Sequence, residues 1–129
     1  MAGKLEKVLY VEDEADIRAI AELALGKVGG FQVLVCASGP EAIRKAAAFA
    51  PDIMLLDVMM PGMDGTTTLE ALRDLPGLAA VPAVFLTAKA LPAEIARYKT
   101  LGASDVIAKP FDPMKLSEQV RAIWQRAGR

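Results

Sequence analysis

Apolar and polar positions along the chain follow two periods that take turns. Five short runs are rich in β-branched and other apolar residues: Lys7–Val11 (KVLYV), 31–36 (FQVLVC), Ile53–Asp57 (IMLLD), 81–87 (VPAVFLT) and Asp105–Ala108 (DVIA). Runs this short, closed by turn residues, predict strands buried in a sheet. Between and after them apolar residues return every three or four positions, as a helix facing a core requires. The sets are Ile17, Ile20, Ala21, Ala24 and Val28; Ala42, Ile43, Ala46 and Ala47; Leu69 and Leu72; Leu91, Ile95, Tyr98 and Leu101; and Leu116, Val120, Ile123 and Trp124. Gly29-Gly30, Pro51, Pro76-Gly77 and Gly102 stop the first four helices. Ser38-Gly39-Pro40-Glu41 opens the second, and Asp112-Pro113 gives the last an N-cap followed by proline.

Strand-then-helix five times over, with short connections, specifies an α/β fold: a parallel sheet with right-handed crossovers and helices on both faces. Five units are too few for a closed barrel. They predict a doubly wound, flavodoxin-like (βα)5 sheet of strand order 2-1-3-4-5, with its switch point between the first and third strands. The third strand is its centre. Four consecutive apolar residues run into Asp57, and Pro61-Gly62 and Asp64-Gly65 then reverse the chain by presetting φ and allowing φ > 0. Asp57 thus leaves the core at the carboxyl edge, where such sheets open a ligand crevice. In the same strand order Glu12 and Asp13 end the adjacent first strand, Thr87 ends the fourth and Lys109 follows the fifth. Each alone reads as a loop residue. Together they face one crevice, although most of the chain separates Glu12 from Lys109.

The 129 residues are read as one domain, 1–129, with a core of about 7–124. At 53% hydrophobic and 24% charged residues the mixture is globular rather than disordered. A net charge of −1 leaves no basic footprint for nucleic acid or a membrane surface, and no apolar run nears the ~20 residues of a membrane span. The opening Met1-Ala2-Gly3-Lys4-Leu5-Glu6-Lys7 lacks the apolar stretch of a secretory signal, and the single cysteine, Cys36, has no internal partner. The expected setting is therefore cytoplasmic. Cys36 reads as core; Lys4, Lys7, Arg121, Arg126 and Arg129 read as solvated charges near the termini.

Three carboxylates in one crevice require counter-charge. Two of them about 4 Å apart repel by roughly 4 kcal/mol at an effective dielectric of about 20. Lys109 and one divalent cation bring the formal charge to zero. An all-oxygen donor set, in a chain without histidine, favours Mg²⁺, with Mn²⁺ as the alternative, over Zn²⁺. Mg²⁺ suits sites completed by phosphate oxygens, so the crevice reads as a place for a phosphoryl group. Asp57 is then the nucleophile that becomes an aspartyl phosphate. Lys109 and the metal neutralise the phosphoryl oxygens, and the Thr87 hydroxyl donates to one of them.

Glu12-Asp13, Asp57 ahead of Met60-Pro61-Gly62-Met63-Asp64-Gly65, Thr87-Ala88 and Lys109-Pro110-Phe111, in that order, resemble the receiver domain of two-component response regulators, in the single-domain form of chemotaxis regulators. The resemblance implies that Glu12, Asp13, Asp57 and the main-chain carbonyl of Met59 hold Mg²⁺. It implies that Asp57 takes phosphate from a histidine kinase or histidine phosphotransfer protein, that Thr87 moves toward the phosphoryl group and that Lys109 pairs with it. A cis Lys109-Pro110 peptide is expected on the same ground. Such a protein is a phosphorelay component that catalyses only its own phosphorylation and dephosphorylation, and switches the binding of a downstream protein target. Homodimerisation through the last helices is common in the family. No DNA-binding module follows the last helix, so the chain reads as a lone receiver or as one cut from a longer protein.

One position departs from the family pattern. Where members carry Tyr or Phe, three residues before the lysine, this chain has Val106, which has no ring to swing. The signal is then expected to leave through the loop after Thr87, residues 89–92. Met59 and Lys89 stand where the family tunes hydrolysis of the acyl phosphate. Trp124 is expected to pack on the sheet, and Tyr98 at the core edge or an interface. The main rival is a pseudo-receiver acting as a phosphorylation-independent interaction module. A flavin carrier is disfavoured because Glu12-Asp13-Glu14 would repel its phosphate, and a haloacid-dehalogenase-type phosphatase because it needs an acid where Met59 stands.

Overall fold

The computed structural model describes residues 4–127. Met1, Ala2, Gly3 and Arg129, considered above, lie outside the described residues. Five strands, β1 (Lys7–Val11), β2 (Gln32–Cys36), β3 (Ile53–Asp57), β4 (Ala83–Thr87) and β5 (Asp105–Ala108), form one parallel sheet in the order β2-β1-β3-β4-β5. The helices are α1 (Ala15–Glu22), α2 (Gly39–Phe49), α3 (Gly65–Arg73), α4 (Pro92–Thr100) and α5 (Leu116–Arg126). This is the flavodoxin-like α/β fold that the alternation predicts.

Side chains alternate along each strand, so the core divides in two. Leu9, Val11, Met54, Leu56 and Phe85 meet Ala42, Ala46, Leu69, Leu72 and Tyr98 of α2, α3 and α4. Val8, Tyr10, Leu55, Val84, Leu86 and Ile107 meet Ala21, Leu116, Val120 and Ile123 of α1 and α5. Strands β3 and β4 are buried along their whole length, whereas the edge strand β2 is only partly covered. Each fully buried leucine of this set contributes about 1.5–3 kcal/mol. Trp124 packs half-buried against the α1–α5 side, and Cys36 is buried, its thiol pushed up to about 11 by burial. Among the described residues no helix is long and apolar enough to cross a membrane.

Helix α1 departs from the simple periodicity. It runs into a π-helical turn over Leu23–Val28, in which Gly29 N donates to the Ala24 carbonyl at 3.1 Å. The wider turn rotates the face it carries, so that Ala24 and Leu25 are buried and Val28, expected to face the core, is 54% exposed; ahead of the turn Ala21 is buried and Ile20, also expected to face the core, is 44% exposed. Helix α5 holds this turn. Ser117 Oγ donates to the Ala24 carbonyl at 2.8 Å, and Arg121 donates to the Gly29 carbonyl while its guanidinium lies 4.7 Å from the Phe31 ring centre. The two glycines divide the work. Gly30 takes φ +78°, whereas a Cβ on Gly29 would lie 2.1 Å from Ser117 Oγ. Arg121 is therefore a tie rather than a solvated charge. Arg126 likewise pairs with Asp105 at 2.8 Å, and Lys7 Nζ donates to the Phe49 carbonyl at 3.2 Å.

Other differences have local causes. Strands β2 and β4 begin one and two residues later than the apolar runs; Pro82 has no N–H to pair, although its carbonyl accepts from Met54 N at 3.0 Å. Asp112 caps a turn rather than α5 itself: its carboxylate accepts from Met114 N at 2.9 Å and its carbonyl from Lys115 N and Leu116 N, where the helix starts. Helix α3 ends at Arg73, ahead of Pro76-Gly77. Of the face expected on α4 only Tyr98 is buried, edge-on to Phe85 with centroids 5.2 Å apart; Leu91 and Leu101 are exposed, as is Ala47 on α2.

Candidate functional site

Parallel strands bring their carboxyl ends to one edge, and the register decides which side chains meet there. Val11 pairs with Leu56, and Asp57 with Leu86, so Glu12 and Asp57 leave neighbouring strands side by side. Thr87 pairs with Ala108, and Lys109 follows. Alternation turns Glu12 to the face of Tyr10, Asp57 to that of Leu55 and Lys109 to that of Ile107, which is the α1–α5 side for all three.

Glu12 and Asp57 are buried, at 0% and 4% exposure, and Asp13 is half-buried. One carboxylate oxygen from each of the three lies within 4.8 Å of the others, a spacing that a single cation could bridge. Lys109 Nζ stands 2.9 Å from Glu12 Oε1 and 3.1 Å from Asp57 Oδ1. The other Glu12 oxygen accepts from Glu14 N at 3.2 Å, and Glu12 N donates to the Cys36 carbonyl at 3.0 Å. Arg18 reaches back from α1 and donates to the carbonyls of Glu12 and Asp13, at 2.8 and 2.9 Å, which pins the acidic loop. Sequence reasoning missed Arg18. A basic residue one turn into a helix looks like any surface arginine, and no spacing marks it.

The loop after β3 closes the other side. Val58 N donates to the Leu86 carbonyl at 3.1 Å, and Gly65 N donates to the Val58 carbonyl at 2.9 Å. Gly62 takes φ +79°; Gly65 serves close approach instead, since a Cβ there would lie 2.3 Å from the Asp57 carbonyl oxygen. Asp64 caps α3 by accepting from Thr67 N at 2.8 Å, and that bond holds its carboxyl below the ordinary range. The Met59 side chain points away from the core, 78% exposed.

Thr87 is buried at the end of β4, and its hydroxyl accepts from Lys89 N at 3.1 Å, within its own loop. Its carbonyl accepts from Lys109 N at 2.9 Å. The structure therefore brings Glu12, Asp13, Asp57 and Lys109 together and keeps the Thr87 hydroxyl engaged nearby. The Lys109-Pro110 peptide is cis. Val106 pairs with Phe85 and packs half-buried against the α2–α4 side, the opposite face from Lys109.

The electrostatics follow from burial. Desolvation pushes the Glu12 carboxyl up to about 7, with the Asp57 charge adding to it and Lys109 and the Glu14 N–H opposing. Burial pulls Lys109 down, but its hydrogen bonds to Glu12 and Asp57 outweigh that and hold it above its ordinary value. One ammonium thus leaves the cluster short of positive charge. The oxygen-only donors of Glu12, Asp13 and Asp57 fit a hard divalent cation, which would supply what Lys109 does not. Beside Lys109, the side chains of Ile17, Ile20, Pro110, Phe111 and Pro113 line a mostly apolar cavity of about 120 Å³.

Proteins of similar sequence and shape are known. The sequence matches the response regulator receiver domain over residues 8–121. The structure of the chemotaxis protein CheY4 of Vibrio cholerae superposes with a TM-score of 0.85 at 31% identity, covering 93% of this chain and 99% of that one. The transcriptional regulatory protein CseB of Streptomyces coelicolor is 38% identical over 121 residues, which are 94% of this chain and 50% of the relative. The alkaline phosphatase synthesis transcriptional regulatory protein PhoP of Bacillus subtilis is 34% identical over 122 residues, 95% of this chain and 50% of that protein. The chain spans about half the length of these curated relatives. A match that runs from β1 into α5 leaves almost none of the sheet outside it, and the chain belongs to the response regulator receiver domain family.

Proposed function

We propose that this receiver domain is a cytoplasmic phosphoacceptor in a two-component phosphorelay: Asp57 takes a phosphoryl group from a histidine kinase or histidine phosphotransfer protein, and the change switches binding of a downstream protein target. The observation that carries this is the position of Lys109 Nζ, shared between two buried carboxylates at 2.9 and 3.1 Å. An ammonium so placed holds Asp57 in one orientation and can follow charge that is added to it.

Glu12, Asp13, Asp57 and the Met59 main-chain carbonyl would hold Mg²⁺, or Mn²⁺ in its place. When bound, the cation offsets the acids' mutual repulsion and neutralises phosphoryl oxygens. An Asp57 carboxylate oxygen attacks phosphorus, the P–N bond of the phosphohistidine breaks, and the electron pair leaves on the imidazole nitrogen. Lys109 then turns from the carboxylates to a phosphoryl oxygen. Thr87 turns its hydroxyl from Lys89 N to another, so residues 89–92 lose an anchor. Val106 has no ring to follow Thr87, and the signal leaves through that loop. The apolar cavity lined by Ile17, Ile20, Phe111 and Pro113 gives a histidine-bearing helix a footing next to Lys109. Beyond its own phosphorylation and dephosphorylation the domain has no catalytic task.

Intact mass after incubation with Mg²⁺ and a small phosphodonor tests the proposal. A gain of one phosphoryl group is expected, lost with a chelator and in Asp57→Asn. No gain in the native sequence would leave a pseudo-receiver, an interaction module independent of phosphorylation. Val106→Tyr is expected to keep both phosphorylation and target binding; sharply altered binding would return the signal to the β5 position.

A further inference from the structure

We infer that Tyr10 is a positioning residue that takes over Glu12 when Lys109 leaves it. Tyr10 lies on β1 two residues before Glu12 and on the same face, paired with Leu55, which stands two residues before Asp57. Its ring therefore occupies the layer directly beneath the two acids. It is fully buried, and its hydroxyl is the one buried side-chain polar atom among the described residues that has no hydrogen-bond partner. A phenylalanine would fill the same layer without that desolvation penalty, so the hydroxyl needs a use that the resting arrangement does not reveal. Burial and then the charges of Glu12 and Asp57 hold the phenol above its ordinary range, which keeps it a donor.

The use follows from what happens above it, and it rests on Asp57 being a phosphoacceptor. In the resting site Glu12 Oε2 is held by Glu14 N and Oε1 by Lys109. Lys109 is the only one of these donors on a mobile side chain. Once it turns to a phosphoryl oxygen, a carboxylate with 0% exposure is left with an unpaired oxygen. The Tyr10 O–H, one layer below, donates to it and keeps the Glu12 carboxylate aimed at the cation, as the outer partners of metal-binding carboxylates do.

Tyr10→Phe distinguishes this from plain packing. Without metal or phosphodonor, the variant is expected to unfold at the same denaturant concentration as the native protein or a higher one. With Lys109→Met in both proteins, so that Glu12 has already lost that donor, Tyr10→Phe is expected to lower Mg²⁺ affinity by calorimetry about tenfold, the size of one hydrogen bond to a charged group. In the same background, which withdraws the competing donor permanently, Tyr10→Phe becomes destabilising, reversing its sign. Equal Mg²⁺ affinities in that background overturn the inference, and so does loss of stability by Tyr10→Phe in the metal-free native background. Phosphoryl uptake by the native protein is followed in parallel by mass. If it is absent, Asp57 is not a phosphoacceptor, whatever the Tyr10 comparison gives, and the sign reversal still tests the Tyr10–Glu12 contact.

Discussion

The two ends of β3 carry aspartates five residues apart, and the sheet puts them to opposite uses. Asp52, at the amino end, accepts from Glu6 N at 2.9 Å and from Lys7 N at 2.8 Å, tying the start of β1 to the start of β3. Asp57, at the carboxyl end, meets Glu12 and Asp13 and shares one lysine with Glu12. The difference is a property of parallel strands. Their amino ends present N–H groups that need acceptors, so a carboxylate there is satisfied at once. Their carboxyl ends present carbonyls, so carboxylates there find few backbone donors, Glu14 N on Glu12 being one, and draw on the positive charge of Lys109. One aspartate ties two strands together; the other sits in the acidic cluster beside Lys109, where the proposed phosphoryl uptake would take place.

The largest expected effect separates the two ends outright. Asp57→Asn abolishes phosphoryl uptake measured by intact mass, whereas Asp52→Ala retains it; uptake lost in both would mean the comparison reports only folding. Next is pH. Glu12 has an ordinary value of 4.5 and a folded value of about 7. Between those values the folded state binds more protons than the unfolded one, so metal-free stability falls as pH rises through that window, by up to about 3 kcal/mol. Denaturant unfolding at pH 5 and pH 7.5 measures it, and Glu12→Gln should flatten the profile. Added Mg²⁺ acts in the other direction. At about a hundred times its dissociation constant it should raise stability by about 2.7 kcal/mol, an increment lost in Asp13→Asn and kept in Asp52→Ala. Smallest is the fold cost of Asp52→Ala itself, about 1–2 kcal/mol for two backbone donors returned to water at a partly exposed edge, read from the shift in denaturant midpoint.

Much of this was legible in the order of residues, for a physical reason. Burial acts on each strand through its own side chains, so KVLYV, IMLLD and DVIA mark β1, β3 and β5 to the residue, and five strand-helix units allow few topologies. Strand order then dictates that Glu12, Asp13, Asp57 and Lys109 share one edge, and the structure gathers them there. The tertiary structure alone decided how backbone and side-chain polar groups close on one another. The Ser117 hydroxyl and Arg121 on α5 clamp the π-helical turn that exposes Val28; Arg18 pins the acidic loop; Tyr10 lies in the core with its hydroxyl unpaired. Hydrophobic burial leaves a periodic mark in a local stretch of chain. A hydrogen bond between residues ninety-three positions apart leaves none, because its strength depends on where two atoms stand after folding and not on what surrounds either of them in the sequence.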